Sequence, residues 1–156
     1  VEAGARFVTL NTDSSSNMWD HHGDLKKGFD RQLPAYDRML ATLLDDLVDR
    51  GLYDRVLVVV CGEFGRTPRM NERGGRDHWG RAGFALLGGG GVRGGQIVGA
   101  TTSHGEEPAS QPVTPADLLA TLYNLLGVDP SHAFTDRNGR PIPVLSEGRP
   151  ITELIS

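Results

Sequence analysis

The chain has 156 residues, a formal net charge of −4 at pH 7, 21 glycines and one cysteine, Cys61. One domain fits this length, and an acidic balance without a basic stripe argues against a nucleic-acid partner. A single cysteine excludes an intrachain disulfide and a thiolate metal cluster, and no apolar run approaches the roughly 18 residues of a membrane span.

The first half of the chain alternates between strand and helix patterns. Apolar and β-branched residues predict a strand over residues 6–12, which the serine-rich residues 13–17 then break. Apolar positions follow helical spacing over residues 33–48, and Gly51 supplies a C-terminal stop. Residues 56–60 are a β-branched run without alternation, which is typical of a parallel strand covered on both faces. We therefore expect the helix to lay its leucines on a sheet.

The second half contains more turns. Residues 83–87 predict a short strand, the glycine-rich residues 88–95 a turn, and residues 96–100 a neighbouring strand. The sequence Thr-Pro-Ala-Asp at 114–117 has the N-cap, first-turn proline and acidic third position of a helix start. From about residue 131, prolines and glycines predict an extended tail.

Acids and histidines concentrate in two short loops, of which the first spans residues 19–24. Residues two apart in an extended loop point to one side, so Asp20 and His22 are candidates to bind one metal ion while His21 points away. Mixed nitrogen and oxygen ligands favour a divalent ion of borderline softness. The alternatives are a solvated polar loop and an aspartate that caps the following segment.

The second loop runs from Gly62 to Trp79 and contains the pair Asp77-His78. We expect His78 to join the same metal site, because the flanking glycines and tryptophan shield it partly from water. A histidine ligand usually has its other ring nitrogen held by a carboxylate, a role for Asp24 or Asp77. The alternative is an ordinary acid beside a surface histidine.

Glu63 directly follows the strand expected at 56–60, where ligands gather in open α/β sheets. A carboxylate at the end of a buried strand is destabilising without a partner. Glu63 is therefore either a metal ligand or half of an ion pair with Arg66 or Arg69. Arg66 is alternatively a contact for an anionic substrate, since a guanidinium fork matches phosphate or sulfate oxygens.

Four segments carry a resemblance to a known family: residues 19–24, 62–68, 75–79 and 112–117. In order and spacing they resemble a bacterial family, domain of unknown function 1501, over nearly the whole chain. That family is similar to the alkaline phosphatase and sulfatase superfamily. The resemblance implies an α/β fold with a mostly parallel sheet and flanking helices. It also implies that residues 1–156 are a single-domain fragment, the C-terminal half of such a domain, as the start at Val1 leads us to expect.

The resemblance implies a role for each candidate. Superfamily hydrolases hold one ion through an Asp and a His on an early loop and a later His, which correspond to Asp20, His22 and His78. Zinc is the first expectation, with manganese, calcium or magnesium as alternatives.

A second ion usually takes an Asp-His pair after a strand, and here Glu63-Phe64 keeps the carboxylate alone. Glu63 is then a ligand of a second ion or an outer anchor, Asp24 and Asp77 orient ligands, and Arg66 is the catalytic anion contact.

Together these expectations predict a hydrolase of small phosphate or sulfate esters that depends on one or two divalent ions. The resemblance puts its nucleophile in a missing N-terminal part, so residues 1–156 alone are expected to be inactive. The alternative is a non-catalytic exported protein that binds a metal or ligand on the same scaffold, which the loss of a histidine at Phe64 favours. By resemblance, the location is exported or periplasmic in bacteria. The oligomeric state is left open.

Overall fold

The computed structural model describes residues 1–12 and 19–155. These residues form two helices, α1 at Leu25–Asp49 and α2 at Pro115–Leu125. The strands, in chain order, are β1 Val58–Cys61, β2 Gly65–Arg66, β3 His78–Trp79, β4 Ala85–Gly88, β5 Ala100–Thr101, β6 Pro108–Ser110, β7 Ala133–Thr135 and β8 Pro141–Pro143. Short 3-10 helices lie at Tyr53–Arg55 and Thr152–Leu154. No helix among the described residues combines the length and the apolar character needed to cross a membrane.

The strands form antiparallel pairs, β1 with β4, β2 with β3, β5 with β6 and β7 with β8. The expectation of a mostly parallel, alkaline phosphatase-like α/β sheet with flanking helices is therefore wrong for the described part of the chain. In β1, Val58 lies opposite Gly88 and Cys61 lies opposite Ala85. A β-branched run favours extended backbone, but it does not determine the direction of the partner strand.

Helix α1 contains the residues predicted at 33–48 and begins earlier, at Leu25. Its first free amides are satisfied by the second loop, because Asp24 N donates to Arg73 O at 3.0 Å and Leu25 N donates to Gly74 O at 3.0 Å. The helix ends before Gly51, which has the positive φ of 66° that terminates helices well. The N-terminus of α1 is thereby fixed to the loop that carries His78.

The prediction of α2 is confirmed. The Thr114 side chain accepts a hydrogen bond from Asp117 N at 3.1 Å, and the Asp117 carboxylate accepts one from Thr114 N at 2.8 Å. This reciprocal cap, with Pro115 in the first turn, is specified by local sequence. Thr121 on α2 is fully buried and its hydroxyl accepts from Ile151 N at 2.9 Å, which ties the C-terminal segment to the helix.

Three further predictions are corrected. Residues 6–12 form no strand, and Phe7 is 78% exposed, so their β-branched pattern is without a partner strand among the described residues. The predicted break at 13–17 lies outside the described residues. Residues 96–100 do not extend the pair of 83–87; instead β5 pairs with β6. The tail from about 131 folds back as the β7–β8 hairpin, because Asp136 accepts hydrogen bonds from Asn138 N at 2.8 Å and Arg140 N at 2.9 Å within the turn.

Candidate metal centre

The two loops that carry the acids and histidines lie side by side. Gly23 and Gly74 form an antiparallel bridge, and Arg76 N donates to His21 O at 3.0 Å. Gly75 is buried against the first loop so closely that a Cβ there would collide with the backbone of His22 and Gly23. Glycine at 75 therefore allows the close approach of the two loops, which residues far apart in sequence need in order to share a site.

Asp20, His22 and His78 present three ligand atoms to one another. His78 Nε2 lies 3.0 Å from Asp20 Oδ1, His22 Nε2 lies 3.2 Å from Asp20 Oδ1, and the two Nε2 atoms lie 3.2 Å apart. Ligand atoms around a tetrahedral zinc, each at about 2.0–2.2 Å from the ion, are about 3.3 Å from one another. The three atoms therefore fit a divalent ion with shifts of tenths of an ångström.

The ring of His22 is oriented from behind by Asp77. His22 Nδ1 donates to Asp77 Oδ1 at 2.6 Å, so the proton on Nδ1 leaves the Nε2 lone pair facing Asp20 and His78. The hydrogen bond from His22, followed by that from Asn71, holds the pKa of the Asp77 carboxyl below its ordinary value. A carboxylate behind a histidine is the usual support of a metal-binding imidazole.

Asp20 is held ionised by its neighbours. Burial alone raises its pKa, but the hydrogen bond from His78 and the positive charge of Arg66 together outweigh burial and lower it. Arg66 Nη1 lies 3.2 Å from Asp20 Oδ1, and its Nη2 donates to Glu63 Oε1 at 3.3 Å. The guanidinium also lies 5.1 Å from the Phe64 ring centroid. Two carboxylates and an aromatic face thus surround this cation.

The remaining candidates lie outside the cluster of three ligand atoms. Glu63 is 63% exposed and reaches Arg66 rather than the histidines. Asp24 stands at the N-cap of α1 with φ 47° and makes no side-chain cap hydrogen bond. His22 Nδ1 donates to Asp77, so Asp77 and not Asp24 supports His22. His21 points away as predicted, with Nε2 2.8 Å from Gln32 Oε1 on α1.

Sequence reasoning missed Asn71. Its Nδ2 donates to His22 O at 3.0 Å and to both carboxylate oxygens of Asp77 at 3.3 Å, while its Oδ1 accepts from Arg73 N and Gly75 N at 3.0 Å. An asparagine three residues before a pair of glycines is a turn signal, which would have indicated the bonds within the loop. Nothing in that signal indicates the link to Asp77.

Comparison with known proteins places the chain in a family without assigning an activity. The family model described as a protein of unknown function, DUF1501, matches residues 1–155. No curated protein and no solved structure matches the chain. Since the matched region covers all the residues described above, the chain belongs to the DUF1501 family.

Proposed function

We propose that this protein is a metal-dependent hydrolase of phosphate or sulfate esters. Asp20, His22 and His78 hold a divalent ion, and zinc is the first candidate for it. The observation that carries the proposal is the triangle of ligand atoms with sides of 3.0 to 3.2 Å. In the metal-free protein His78 Nε2 donates to the Asp20 carboxylate, so a divalent ion bound by the same three atoms would replace that proton. The support of His22 by Asp77 suits a metal ligand, because it leaves His22 Nε2 unprotonated.

A bound divalent ion would polarise an ester oxygen and stabilise the charge that develops on the leaving group. The chain's own contribution begins with Arg66. Its Nη1 is buried and, among the described residues, has no hydrogen-bond partner of good geometry, although Asp20 lies 3.2 Å away. Once the charge of Asp20 is shared with a metal, the Arg66 guanidinium has donors available for phosphate or sulfate oxygens.

Phe64 occupies the position beside His78 where the resembling superfamily has a histidine. Its ring centroid lies 4.5 Å from that of His78, and the residue is 39% exposed. An aromatic ring there gives the site an apolar wall and no nitrogen ligand. We therefore propose one ion rather than two, with the carboxylate of Glu63 as an anchor for Arg66.

The relation to the alkaline phosphatase and sulfatase superfamily is proposed on the donor set alone. The Asp and two His match the ligand types that this superfamily uses for one ion, and the antiparallel strand pairs give no support from the fold. The nucleophile is proposed to come from residues outside 1–156.

A non-catalytic protein that binds a metal or ligand is the second candidate. The observation that favours it is the pairing of Arg66 with both Asp20 and Glu63, which leaves the guanidinium little net charge for a substrate anion. Both candidates need the same metal site. Turnover of an ester therefore distinguishes them, and metal binding does not.

The test is hydrolysis of an aryl phosphate and an aryl sulfate by the zinc-loaded full-length protein. We expect turnover of at least one ester, loss of turnover in Arg66→Ala by about 10²–10³ in kcat because an oxyanion donor is removed, and no comparable loss in Arg69→Ala, which alters a nearby exposed arginine. Bound zinc without turnover of either ester would contradict the hydrolase and establish the non-catalytic metal-binding protein.

A further inference from the structure

We infer that Asn71 is a positioning residue for the metal centre, fixing the ring of His22 through Asp77; the inference rests on the proposed metal-binding function. The side-chain amide of Asn71 contacts both His22 and Asp77. Asn71 Nδ2 donates to the backbone carbonyl of His22 at 3.0 Å and to both oxygens of Asp77 at 3.3 Å. The main chain of the ligand and the carboxylate behind its ring are therefore held by the same nitrogen.

The orientation of the Asn71 amide is determined by its surroundings. Its oxygen faces two donors, the backbone amides of Arg73 and Gly75, each at 3.0 Å. Its nitrogen faces only acceptors, so exchanging the two atoms would place donors against donors and acceptors against acceptors. An asparagine satisfies this environment, whereas an aspartate retains the acceptor and loses the donor.

The consequence falls on His22. With Asp77 Oδ1 held 2.6 Å from Nδ1, the ring keeps its proton on Nδ1 and its Nε2 lone pair toward Asp20 and His78. Without Asn71, Asp77 loses two of its hydrogen-bond contacts and is free to turn away. The ring of His22 would then sample both tautomers and other orientations, and its affinity for metal would fall.

Zinc affinity, measured by competition with a chelator in the full-length protein, is the first readout. Asn71→Ala and Asn71→Asp are each expected to bind zinc more weakly by about 10–100-fold, the range for loss of an outer hydrogen-bonding partner. The aspartate variant is informative because it keeps the acceptor for Arg73 N and Gly75 N, and its added negative charge by itself favours metal binding. Asn138→Ala, in the distant β7–β8 turn, is the matched control and is expected to bind like wild type.

The second readout is the ¹⁵N chemical shifts of the His22 ring in metal-free protein, which report the tautomer directly. We expect the Nδ1–H form in wild type and a mixture in Asn71→Ala. A role that acts through Asp77 also predicts that Asn71→Ala adds little further loss of zinc affinity in an Asp77→Ala background, whereas a general weakening of the loop would add in full.

The outcomes separate the two proposals. Wild-type zinc binding with unchanged affinity and tautomer in both Asn71 variants would overturn the role of Asn71 alone. Absence of zinc binding in wild type would overturn the metal centre, and the tautomer measurement would still decide whether Asn71 fixes His22. Full additivity in the double variant would reduce Asn71 to a loop residue and contradict the inference.

Discussion

Single residues determine whether the cluster is a metal site or a set of surface charges. Asp20 is surrounded by two imidazole nitrogens and the Arg66 guanidinium within 3.2 Å. Glu63 has the same charge but faces solvent, with one contact to Arg66 at 3.3 Å. Asp20 therefore lies where it can bind an ion together with the two histidines, whereas Glu63 contacts Arg66. Substituting each carboxylate separately tests these two roles.

The first prediction compares these two carboxylates. Asp20→Asn is expected to weaken zinc binding by more than the roughly 10–100-fold that loss of an outer partner causes, since it removes a direct ligand. Glu63→Gln is expected to change the dissociation constant less than about fivefold, because exposed ion pairs contribute little. Chelator competition measures both. A similar loss in the two variants would mean that Glu63 binds the ion.

The second prediction concerns Gly28, a buried position in α1. Alanine there improves helix propensity by about 1 kcal/mol, but its Cβ would collide with the imidazole of His21, and overpacking costs about 1–3 kcal/mol. We expect Gly28→Ala to lower the free energy of unfolding in urea. In a His21→Ala background, where the ring is absent, the same substitution is expected to be stabilising; destabilisation in both backgrounds would contradict this explanation.

At the scale of elements, α2 holds the C-terminal segment through two of its side chains. Asp117 Oδ1 accepts from Arg149 N at 2.8 Å, and the Thr121 hydroxyl accepts from Ile151 N at 2.9 Å. Ile151 is buried as a result, at 8% exposure. The cap of α2 therefore has a second role as a docking point for a segment about 30 residues later in the chain.

The third prediction is a loss of stability in acid that depends on Asp117. Hydrogen bonds from the side chain and backbone of Thr114, followed by that from Arg149 N, lower the pKa of this carboxyl in the folded state. The unfolded chain then binds more protons, so the stabilisation is present above about pH 4 and is lost as pH falls through the lowered pKa. Urea unfolding at pH 7 and at pH 3 should show a smaller acid loss in Asp117→Asn than in wild type. An identical loss would contradict this assignment.

The sequence was informative where structure depends on neighbouring residues. The start of α2 is set by Thr114 and Asp117, three residues apart, and the end of α1 by Gly51, so both were predictable. The direction of strand pairing depends on contacts between distant segments. Residues 56–60 and 83–87 were both recognised as extended, yet nothing in either run determined that β1 and β4 pair antiparallel.

For the candidate site, too, local patterns were predictable from the sequence and contacts between distant segments were not. Asp20 and His22 were paired by their spacing, and the structure brings them together with His78. Asp24 and Asp77 were equivalent as supports of His22 until the bridge between Gly23 and Gly74 fixed the register of the two loops. Long-range register is a tertiary property, which explains why the choice between the two aspartates needed the structure.

At the scale of the whole molecule, much apolar surface lies open. The accessible surface is 11593 Å², against roughly 7,700 Å² expected for a compact monomer of 16.8 kDa. Phe84 is 86% exposed and Ile97 is 93% exposed, while buried apolar residues among those described are few. Within the described part of the chain, the paired strands therefore do not close over a single large core.

The fourth prediction follows from this exposed surface. The 156-residue chain in solution is expected to have a radius of gyration above the roughly 15 Å of a compact domain of its length, and to enhance the fluorescence of an apolar dye such as ANS. Small-angle X-ray scattering measures the first quantity. A radius near 15 Å without dye binding would contradict the open arrangement of strand pairs.

The final prediction, tested by elemental analysis after dialysis against metal-free buffer, concerns the metal centre itself. We expect about one zinc per chain in the full-length wild type, little in His78→Ala, and wild-type content in His104→Ala, which alters an exposed histidine of another loop. That result would establish Asp20, His22 and His78 as a metal site. No bound metal in wild type, or equal zinc in wild type and His78→Ala, would contradict it.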